Sequence, residues 1–328
     1  MKNNINNHIT CIGNAIVDVI SKCSDEFLKK NNITKAAMNL IDEERSTKLY
    51  TLLNNPKIIS GGSAANTAVG ISMLGTECSF IGKVKNDELG QAFIKDIKNV
   101  RVGFKTPASE TGPSTASSII LVTPDAERSM NTFLGACINL NPDDLDHEII
   151  KNSYIVYLEG YLFDPPKAKQ AFIQTAKIAK SVDNLVAMTL SDGFCVERHR
   201  SDFINFISNY VDILFCNDYE IKSLFQCGLE DAKSNIEKLN IETAITLGSQ
   251  GSIIFKSGLW HEIEPIQVDN VEDTTGAGDL YAAGYLHGRS KKLDPNTCGK
   301  IASIAASEII SHIGPRPKTN LKNLLKNI

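Results

Sequence analysis

Short, almost continuously apolar segments alternate with longer stretches of helical character along this chain. Apolar runs of this length are typical of buried strands. They cover residues 9–12, 79–82, 155–158, 185–190, 211–215 and 243–247. Because helical stretches separate successive strands, the pattern predicts a parallel sheet covered by helices on both faces, that is, an α/β sandwich.

The pattern changes between about residues 100 and 135, where Thr, Ser and β-branched residues replace the apolar runs. Residues 116–123 are followed by Pro124 and Asp125, and this arrangement predicts a β-hairpin that turns there. A second departure, at about residues 34–60, combines a helical stretch with short segments of strand character. We expect these two insertions to form one small β-sheet lid.

Composition and charge limit the possible functions. The chain has 328 residues, of which 42% are hydrophobic and 22% charged, and no linker or repeat divides it, so we expect a single domain over residues 1–328. A net charge of −4 gives no basic surface for nucleic acid or an anionic membrane. Residues 1–8 are polar and no segment has the roughly 20 apolar residues of a membrane span, which predicts a cytoplasmic protein. Eight cysteines without a Cys-x-x-Cys pair indicate reduced thiols rather than a zinc site.

The segment Asp-Thr-Thr-Gly-Ala-Gly-Asp at 273–279 places two carboxylates around a glycine-rich turn, just before a helical stretch. Gly276 and Gly278 permit a tight turn that aims backbone N–H groups outward, and the helix dipole adds to the attraction for anions. Asp279, in the first helical turn, could accept a hydroxyl proton as a phosphorus–oxygen bond forms. The alternative is an ordinary helix start whose side chains only cap N–H groups. The whole segment, preceded by the strand-like residues 264–268, favours a phosphoryl-transfer site.

A second glycine-rich element, Gly61-Gly62-Ser63, opens another predicted helix, and the first turn of that helix carries Asn66. Small residues let a ligand approach the backbone, and the Asn66 amide offers both a donor and an acceptor to hydroxyl groups. Asp18 follows the first predicted strand, at the sheet edge where open α/β sheets bind ligands, and its carboxylate could accept hydrogen bonds from two hydroxyls. The alternatives are a packed Ala/Gly helix and a solvated aspartate. Together these residues suit a polyhydroxylated substrate.

Other residues at predicted strand ends are candidates for nucleotide binding. Asn217 and Glu220 follow the strand at 211–215, so they could face phosphates and, through water, a Mg²⁺ ion, which prefers oxygen ligands. The remaining candidates are Thr246, Gly248, Gly251 and Thr275. Each of these residues could instead belong to a helix cap or a turn, but their shared position at strand ends favours a nucleotide site.

Arg128, beside the predicted hairpin turn, could bind the transferring phosphate, because a guanidinium binds phosphate oxygens bidentately. The alternative is an exposed hairpin arginine. The chain has no Gly-x4-Gly-Lys-Ser/Thr loop, and the next glycine after Gly278 comes too late for a dinucleotide fingerprint. A Walker-type site is therefore excluded, and an oxidoreductase is disfavoured.

Three motifs together resemble those of the ribokinase-like sugar and nucleoside kinases, also called PfkB-type carbohydrate kinases: Gly61-Gly62-x3-Asn66, Asn217-x2-Glu220 and residues 273–279. The resemblance spans nearly the whole chain. It implies a Rossmann-like three-layer α/β/α sandwich with a β-sheet lid, and transfer of the γ-phosphate of ATP, with Mg²⁺, to a primary hydroxyl. It also implies that Asp279 is the general base, that the anion hole comprises Gly276, Ala277 and Gly278, and that the substrate-binding residues are Asp18, Gly61, Gly62, Ser63 and Asn66.

Within that family the motifs look most like those of adenosine kinases. Ribokinases typically carry a lysine where this chain has Ser63, whereas Glu127-Arg128-Ser129-Met130 and Leu190-Ser191-x2-Phe194 are similar to adenosine kinases. In those enzymes the matching arginine lies near the phosphates, which gives Arg128 that role by resemblance. The expected reaction is therefore phosphorylation of the 5′-hydroxyl of adenosine or a related nucleoside. A purine needs an apolar slot, and the candidates to line it are Met38, Leu40, Met130, Leu134 and Phe194.

Two alternatives stay open on the sequence. One is a kinase for a free sugar, of the ribokinase or fructokinase type. The other is a nucleoside or sugar sensor without catalysis, which the intact Asp279 and its two glycines disfavour. The expected partners are ATP and a small-molecule acceptor. The chain could be a monomer or a homodimer, and activation by a monovalent cation such as K⁺ near Asp273 is open as well.

Overall fold

The computed structural model describes residues 7–125 and 127–326, so the first six residues of the polar opening segment lie outside the described residues. The strands are β1 (Ile9–Ile12), β2 (Ile16–Lys22), β3 (Met38–Leu40), β4 (Lys57–Ser60), β5 (Cys78–Ile81), β6 (Gly103–Phe104), β7 (Ala116–Val122), β8 (Arg128–Phe133), β9 (Ile155–Glu159), β10 (Leu185–Thr189), β11 (Ile213–Asn217), β12 (Glu242–Thr246), β13 (Ser252–Lys256) and β14 (Leu259–Ile263). The helices are α1 (Asp25–Lys30), α2 (Glu43–Thr51), α3 (Ser63–Met73), α4 (Glu88–Asn99), α5 (His147–Lys151), α6 (Pro166–Lys180), α7 (Gly193–Tyr210), α8 (Asp218–Phe225), α9 (Leu229–Leu239), α10 (Ala277–Ser290), α11 (Pro295–Ile310) and α12 (Leu321–Leu324).

Nine strands form the main sheet, in the order β14-β13-β12-β11-β10-β9-β1-β5-β6. The pairs from β12 to β6 are parallel, and β13 and β14 add an antiparallel edge. All six predicted apolar strands are present in this sheet. The strand predicted at 211–215 begins instead at Ile213, because the N–H of Val211 still donates to the Ile207 carbonyl at the end of α7.

Side chains of the central strands alternate between two apolar cores. In β9, Tyr157 packs into the core that contains α3, α10 and α11, whereas Val156 and Leu158 pack into the core that contains α6 to α9. Parallel strands that are covered on both faces must be apolar on both faces, which explains the continuous apolar runs. The predicted α/β/α sandwich is therefore confirmed.

A second sheet of five strands has the order β3-β8-β7-β2-β4. Strands β7 and β8 are antiparallel and flank Pro124 and Asp125, where the sequence predicts a hairpin turn. Strands β3 and β4 come from the predicted insertion at about 34–60. Strand β2, however, also belongs to this sheet, so residues 16–22 add a strand that the sequence did not assign to it. Helices α1 and α2 cover one face, where Val19 and Ile119 join Leu28 and Leu49 in a small core.

The segment 264–268, which the sequence predicts to be a strand, is not one. Strand β14 ends at Ile263, and the following residues have no regular secondary structure. Pro265 explains the difference, because it has no N–H to donate to a neighbouring strand. These residues instead line a cavity that is described below.

Among the helices of residues 7–125 and 127–326, none combines the length and the apolar character that crossing a membrane requires. The eight cysteines are all free, and six of them are buried.

Candidate active site

Asp279 lies in the first turn of α10 and is held by two side chains of α3. Its Oδ1 accepts a hydrogen bond from Ser63 Oγ at 2.6 Å, and its Oδ2 accepts one from Asn66 Nδ2 at 3.0 Å. Thr67 Oγ1 donates to the backbone carbonyl of Asp279 at 3.1 Å. Burial raises the pKa of Asp279 to about 6, and the hydrogen bonds from Ser63 and Asn66 act in the opposite direction. The two predicted glycine-rich motifs therefore meet at this carboxylate.

The turn before α10 presents free backbone donors. Gly276 has φ 85°, a left-handed conformation that favours glycine, and this reversal starts the helix. The N–H of Ala277 donates to the Thr274 carbonyl at 3.2 Å, whereas within the described residues the N–H groups of Gly276, Gly278 and Asp279 make no hydrogen bond. A Cβ at Gly278 would have no atom within 4 Å, so the backbone there faces open space. The turn has the geometry of an anion site, although Ala277 contributes no free N–H to it.

Asp273, at the other end of the motif, fixes the shape of this turn. Its Oδ1 accepts hydrogen bonds from Thr275, at 3.1 Å from N–H and 2.7 Å from Oγ1. Its Oδ2 accepts from the N–H of Gly314 at 2.9 Å and from Arg128 Nη1 at 2.9 Å. Burial alone would raise the pKa of Asp273, but these hydrogen bonds and the charge of Arg128 outweigh it and lower the pKa. Asp273 is therefore an ionised structural anchor, and the hydroxyl of Thr275 is committed to it.

A cavity of about 470 Å³ adjoins the turn. Five residues predicted to bind a nucleotide or its phosphate line it, and its wall is otherwise largely apolar; the lining includes Thr246, Gly248, Gly251, Ala277, Gly278, Pro265, Ile266, Val268, Val271, Ala306 and Ile310. A smaller cavity of about 100 Å³ shares Thr246 and Gly278 with the larger one and is also lined by Asp279 and Ser63. The carboxylate of Asp279 thus borders open space next to a cavity large enough for a nucleoside.

Asn217 and Glu220 line the smaller cavity and bind each other. Glu220 N–H donates to Asn217 Oδ1 at 2.8 Å, while Asn217 donates from N–H and Nδ2 to the two Glu220 oxygens at 2.9 and 3.0 Å. Burial raises the pKa of Glu220 to about 7 despite these bonds. Glu220 lines the cavity, and each of its carboxylate oxygens keeps a lone pair beyond these bonds, so the pair fits a Mg²⁺ ion held through water. Within the described ranges no group of three His, Cys, Asp or Glu side chains is arranged to hold a metal directly.

Asp18 lies within β2 of the second sheet, not in a loop after β1. It is 9% exposed, and burial raises its pKa to about 7, while the positive charges of Arg316 and Arg128 oppose that rise. A Cβ at Gly61 would lie 2.8 Å from its Oδ2, so the Gly61 backbone packs directly on the carboxylate. Asp273 and Asp279 are near enough to raise the pKa of Asp18. Four predicted elements, at residues 18, 61–66, 128 and 273–279, therefore come together.

The sequence missed two residues of this region. Glu159, at the end of β9, is 1% exposed and accepts hydrogen bonds from Asn14 Nδ2 at 2.9 Å and from the N–H of Ala64 at 2.8 Å. It thereby fixes the first turn of α3, which carries Ser63. Its position at a strand end is the signal that could have identified it. Arg316, in the segment after α11, is the second missed residue, and no motif marks it.

Proteins of similar structure and sequence give the class of this protein. The crystal structure of a probable sugar kinase from Rhizobium etli CFN 42 has a TM-score of 0.89 and 43% identity, with 97% of each chain covered. That of an adenosine kinase from Sinorhizobium meliloti has a TM-score of 0.89 and 42% identity, with 97% of this chain and 98% of the other covered. A nucleoside kinase from Methanocaldococcus jannaschii is 26% identical, over 93% of this chain and 91% of its own length. The protein is a phosphotransferase with an alcohol group as acceptor.

The family follows from the length of the match. The profile described as pfkB family carbohydrate kinase matches residues 6–321, which is nearly the whole chain. The chain therefore belongs to the pfkB family of carbohydrate kinases, as the motifs at residues 61–66, 217–220 and 273–279 indicate.

Proposed function

We propose that this protein is an ATP-dependent kinase that transfers the γ-phosphate to the 5′-hydroxyl of adenosine or a related nucleoside. The position of Asp279 carries the proposal. Asp279 lines the smaller cavity together with Gly278, and it accepts hydrogen bonds from Ser63 and Asn66 of α3. Gly61, just before α3, packs on Asp18. An acceptor hydroxyl bound against this carboxylate would meet the terminal phosphate of a donor bound at Gly278.

The chemistry follows from these contacts. A hydroxyl placed against Asp279 loses its proton to the carboxylate as its oxygen bonds to phosphorus. A pKa of about 6 suits this role, because the group is mostly ionised at neutral pH and yet more basic than an ordinary carboxylate. The free N–H groups of Gly276 and Gly278, together with the start of α10, stabilise the charge on the transferring phosphate. The larger cavity holds the nucleoside part of ATP.

Mg²⁺, when bound, neutralises charge on the β- and γ-phosphate oxygens of ATP. Glu220 would hold the ion through its waters, and Asn217 keeps the Glu220 carboxylate in place. Stimulation by K⁺ stays a prediction. It is tested by comparing the turnover rate in KCl with the turnover rate in tetramethylammonium chloride.

A nucleoside is favoured over a free sugar by the face of the second sheet that carries Asp18. Cross-strand pairing places Asp18, Ser118, Thr132 and Leu40 in one row on this face. The next row on the same face is apolar and comprises Ile20, Ile120, Met130 and Met38. The opposite face packs under α1 and α2. A ribose bound at Asp18 would thus have an apolar platform beside it, on which a base could lie.

The relatives support both candidate acceptors. The S. meliloti protein is an adenosine kinase, and at 42% identity it supports the nucleoside. The R. etli protein is a probable sugar kinase, and at 43% identity it keeps a free sugar as the alternative. The apolar row beside Asp18 is the observation that favours the nucleoside.

A panel of acceptors tests the proposal. Release of ADP is measured with adenosine, inosine, ribose and fructose, and the product is identified by mass spectrometry. We expect kcat/KM for adenosine to exceed that for ribose by about 100-fold or more, because ribose makes no contact with the apolar platform. Faster turnover of ribose or fructose would establish the free-sugar kinase. A ligand-dependent rise in melting temperature without ADP release would establish a sensor.

A matched pair of variants tests whether the base contacts Leu40, which lies in the row of Asp18 beside the apolar row. Leu40 and Leu259 are similarly exposed, at 66% and 64%, but only Leu40 lies in the row of Asp18. Leu40→Ala is expected to raise KM for adenosine several-fold while leaving KM for ATP unchanged. Leu259→Ala, on the edge strand of the main sheet, is expected to change neither value.

A further inference from the structure

Arg316 lies in the segment after α11, and two buried carboxylates hold this segment at both ends. The N–H of Gly314 donates to Asp273 Oδ2 at 2.9 Å. Thr319 donates to Glu308 Oε1 from its N–H at 2.9 Å and from its hydroxyl at 3.1 Å. The backbone around Arg316 is therefore fixed, although it belongs to neither a helix nor a strand.

This segment passes over strands β2 and β4, beside Asp18. A Cβ at Gly314 would lie 3.9 Å from Ile59 Cδ1, and Ile59 is the cross-strand partner of Asp18. Burial lowers the pKa of Arg316 to about 10, while the carboxylates of Asp96 and Asp18 oppose this shift. The guanidinium thus stays charged at neutral pH, within electrostatic reach of Asp18 and Asp96.

Two donor atoms of Arg316 have no partner. Its Nε and Nη2 are buried and make no hydrogen bond within residues 7–125 and 127–326, and no carboxylate of these residues forms an ion pair with it. Buried donors without a partner are costly and rare in native proteins. A segment anchored at both ends cannot easily move them to water. An acceptor atom for them is therefore expected from a ligand.

We infer that Arg316 binds the phosphoryl acceptor, with Nε and Nη2 donating to the oxygens of a vicinal diol whose hydrogens Asp18 accepts. A hydroxyl group has one hydrogen to donate and lone pairs to accept with, so a carboxylate on one side and a guanidinium on the other use both. Charge-assisted hydrogen bonds of this kind are stronger than neutral ones. The inference rests on the proposed function and adds to it a residue that selects hydroxyl groups.

The surrounding charges favour a neutral acceptor over an anionic one. The carboxylates near Arg316 and Asp18 outnumber the guanidinium groups; they are Asp18, Asp96, Asp273 and Asp279, against Arg128 and Arg316. An acceptor that already carried a phosphate or a carboxylate would meet net repulsion. A nucleoside or a polyhydroxylated sugar meets none.

The test compares hydroxyl recognition with and without the guanidinium. Wild type, Arg316→Gln and Arg316→Lys are assayed at saturating ATP with adenosine, 2′-deoxyadenosine and 3′-deoxyadenosine. Arg101→Gln is the matched control, since Arg101 is exposed just after α4 and lines a cavity with Gly75, at the opposite end of α3 from Ser63. We expect Arg316→Gln to lower kcat/KM for adenosine by about 10- to 100-fold through KM for the acceptor, the effect of one charge-assisted hydrogen bond. KM for ATP should stay within about twofold of the wild-type value.

The decisive quantity is the cost of removing a hydroxyl. In wild type we expect at least one deoxy analogue to lose about 10- to 100-fold in kcat/KM, and in Arg316→Gln we expect this loss to shrink to a few-fold. If each analogue loses the same factor in kcat/KM in both proteins, the inference is overturned. A purely structural role of Arg316 would lower kcat/KM for all three acceptors by the same factor. If Arg316→Gln does not fold, the same comparison of adenosine with its deoxy analogues is made with Arg316→Lys. A rise in melting temperature on addition of ADP shows that a variant is folded. If wild type phosphorylates only free sugars, the proposed function fails, and ribose against 2-deoxyribose tests Arg316 separately.

Discussion

Arg128 of β8 donates from Nη1 to Asp273 Oδ2 at 2.9 Å, and this contact ties the second sheet to the turn that begins α10. The sequence predicts that Arg128 binds the transferring phosphate. Its observed partner is instead Asp273, which fixes the turn before α10, and the buried charge of this carboxylate attracts the guanidinium. A phosphate at Gly278 would offer Arg128 a second anionic partner close to the first.

Replacement of Arg128 tests whether it serves the phosphate as well as Asp273. We expect Arg128→Ala to lower kcat by about 100-fold, as loss of one donor to a transferring group typically does, with a smaller change in KM for the acceptor. Asp273 keeps its hydrogen bonds from Thr275 and Gly314, so the fold should survive. Arg128→Lys, which keeps the charge without the bidentate geometry, is the control, and its kcat should lie between those of wild type and Arg128→Ala. Wild-type kcat in Arg128→Ala would leave Arg128 with a structural role alone.

The role of Asp279 as general base is tested by Asp279→Asn. The amide has nearly the same shape and cannot take a proton, so we expect kcat to fall by about 1,000-fold or more while Kd for both substrates stays within several-fold. Kd is measured by calorimetry with adenosine and with a non-hydrolysable ATP analogue. The matched control is Asp202→Asn, the same change in a carboxylate of α7 that pairs with Lys169 of α6, and it should leave kcat unchanged. Near-normal turnover of Asp279→Asn would refute the assignment.

The activity should depend on pH in a way that the buried carboxyl groups set. Burial raises the pKa of Asp279 to about 6 and that of Asp18 to about 7, and both groups act as ionised acceptors. We therefore expect kcat/KM to be maximal above about pH 7 and to fall as pH decreases through 7 and 6. Ser63→Ala removes the hydrogen bond of 2.6 Å that lowers the pKa of Asp279, so the acidic limb should move to higher pH. An acidic limb near pH 4 in both proteins would contradict this account.

Local sequence signals were sufficient to predict much of the fold and the nucleotide-binding part of the site. The strands of the main sheet are short apolar runs that need no partner to be recognised, and the predicted segments agree with β1, β5, β9, β10, β11 and β12 within about two residues. The turn at 273–279 is equally local, because glycine spacing and a following helix determine it. The nucleotide candidates Thr246, Gly248 and Gly251 line one cavity for the same reason, since all three lie at or just after the end of β12.

Features that depend on long-range pairing could not be predicted. Asp18 follows β1 in the sequence, but pairing with β4 and β7 makes it part of a strand in the second sheet. Arg316 has no local signal, because its position depends on Asp273 and Glu308, which hold its segment. Glu159 looks like the polar end of a strand, and only the fold brings the N–H of α3 to it.

Substitutions at Gly276 and Gly278, in the turn before α10, should have separate effects on stability and on nucleotide binding. A methyl group at Gly278 would meet no atom within 4 Å, so Gly278→Ala should fold normally and could gain up to about 1 kcal/mol from helix propensity. The same methyl group lies beside the free N–H where phosphate is proposed to bind, so we expect KM for ATP to rise by about 10-fold or more. Gly276 has φ 85°, and a Cβ there would lie 3.0 Å from the Pro315 carbonyl oxygen, so Gly276→Ala should lose about 1–3 kcal/mol of unfolding free energy. Urea unfolding and ATP kinetics on both variants measure these effects, and unchanged KM for ATP in Gly278→Ala would show that the turn does not hold phosphate.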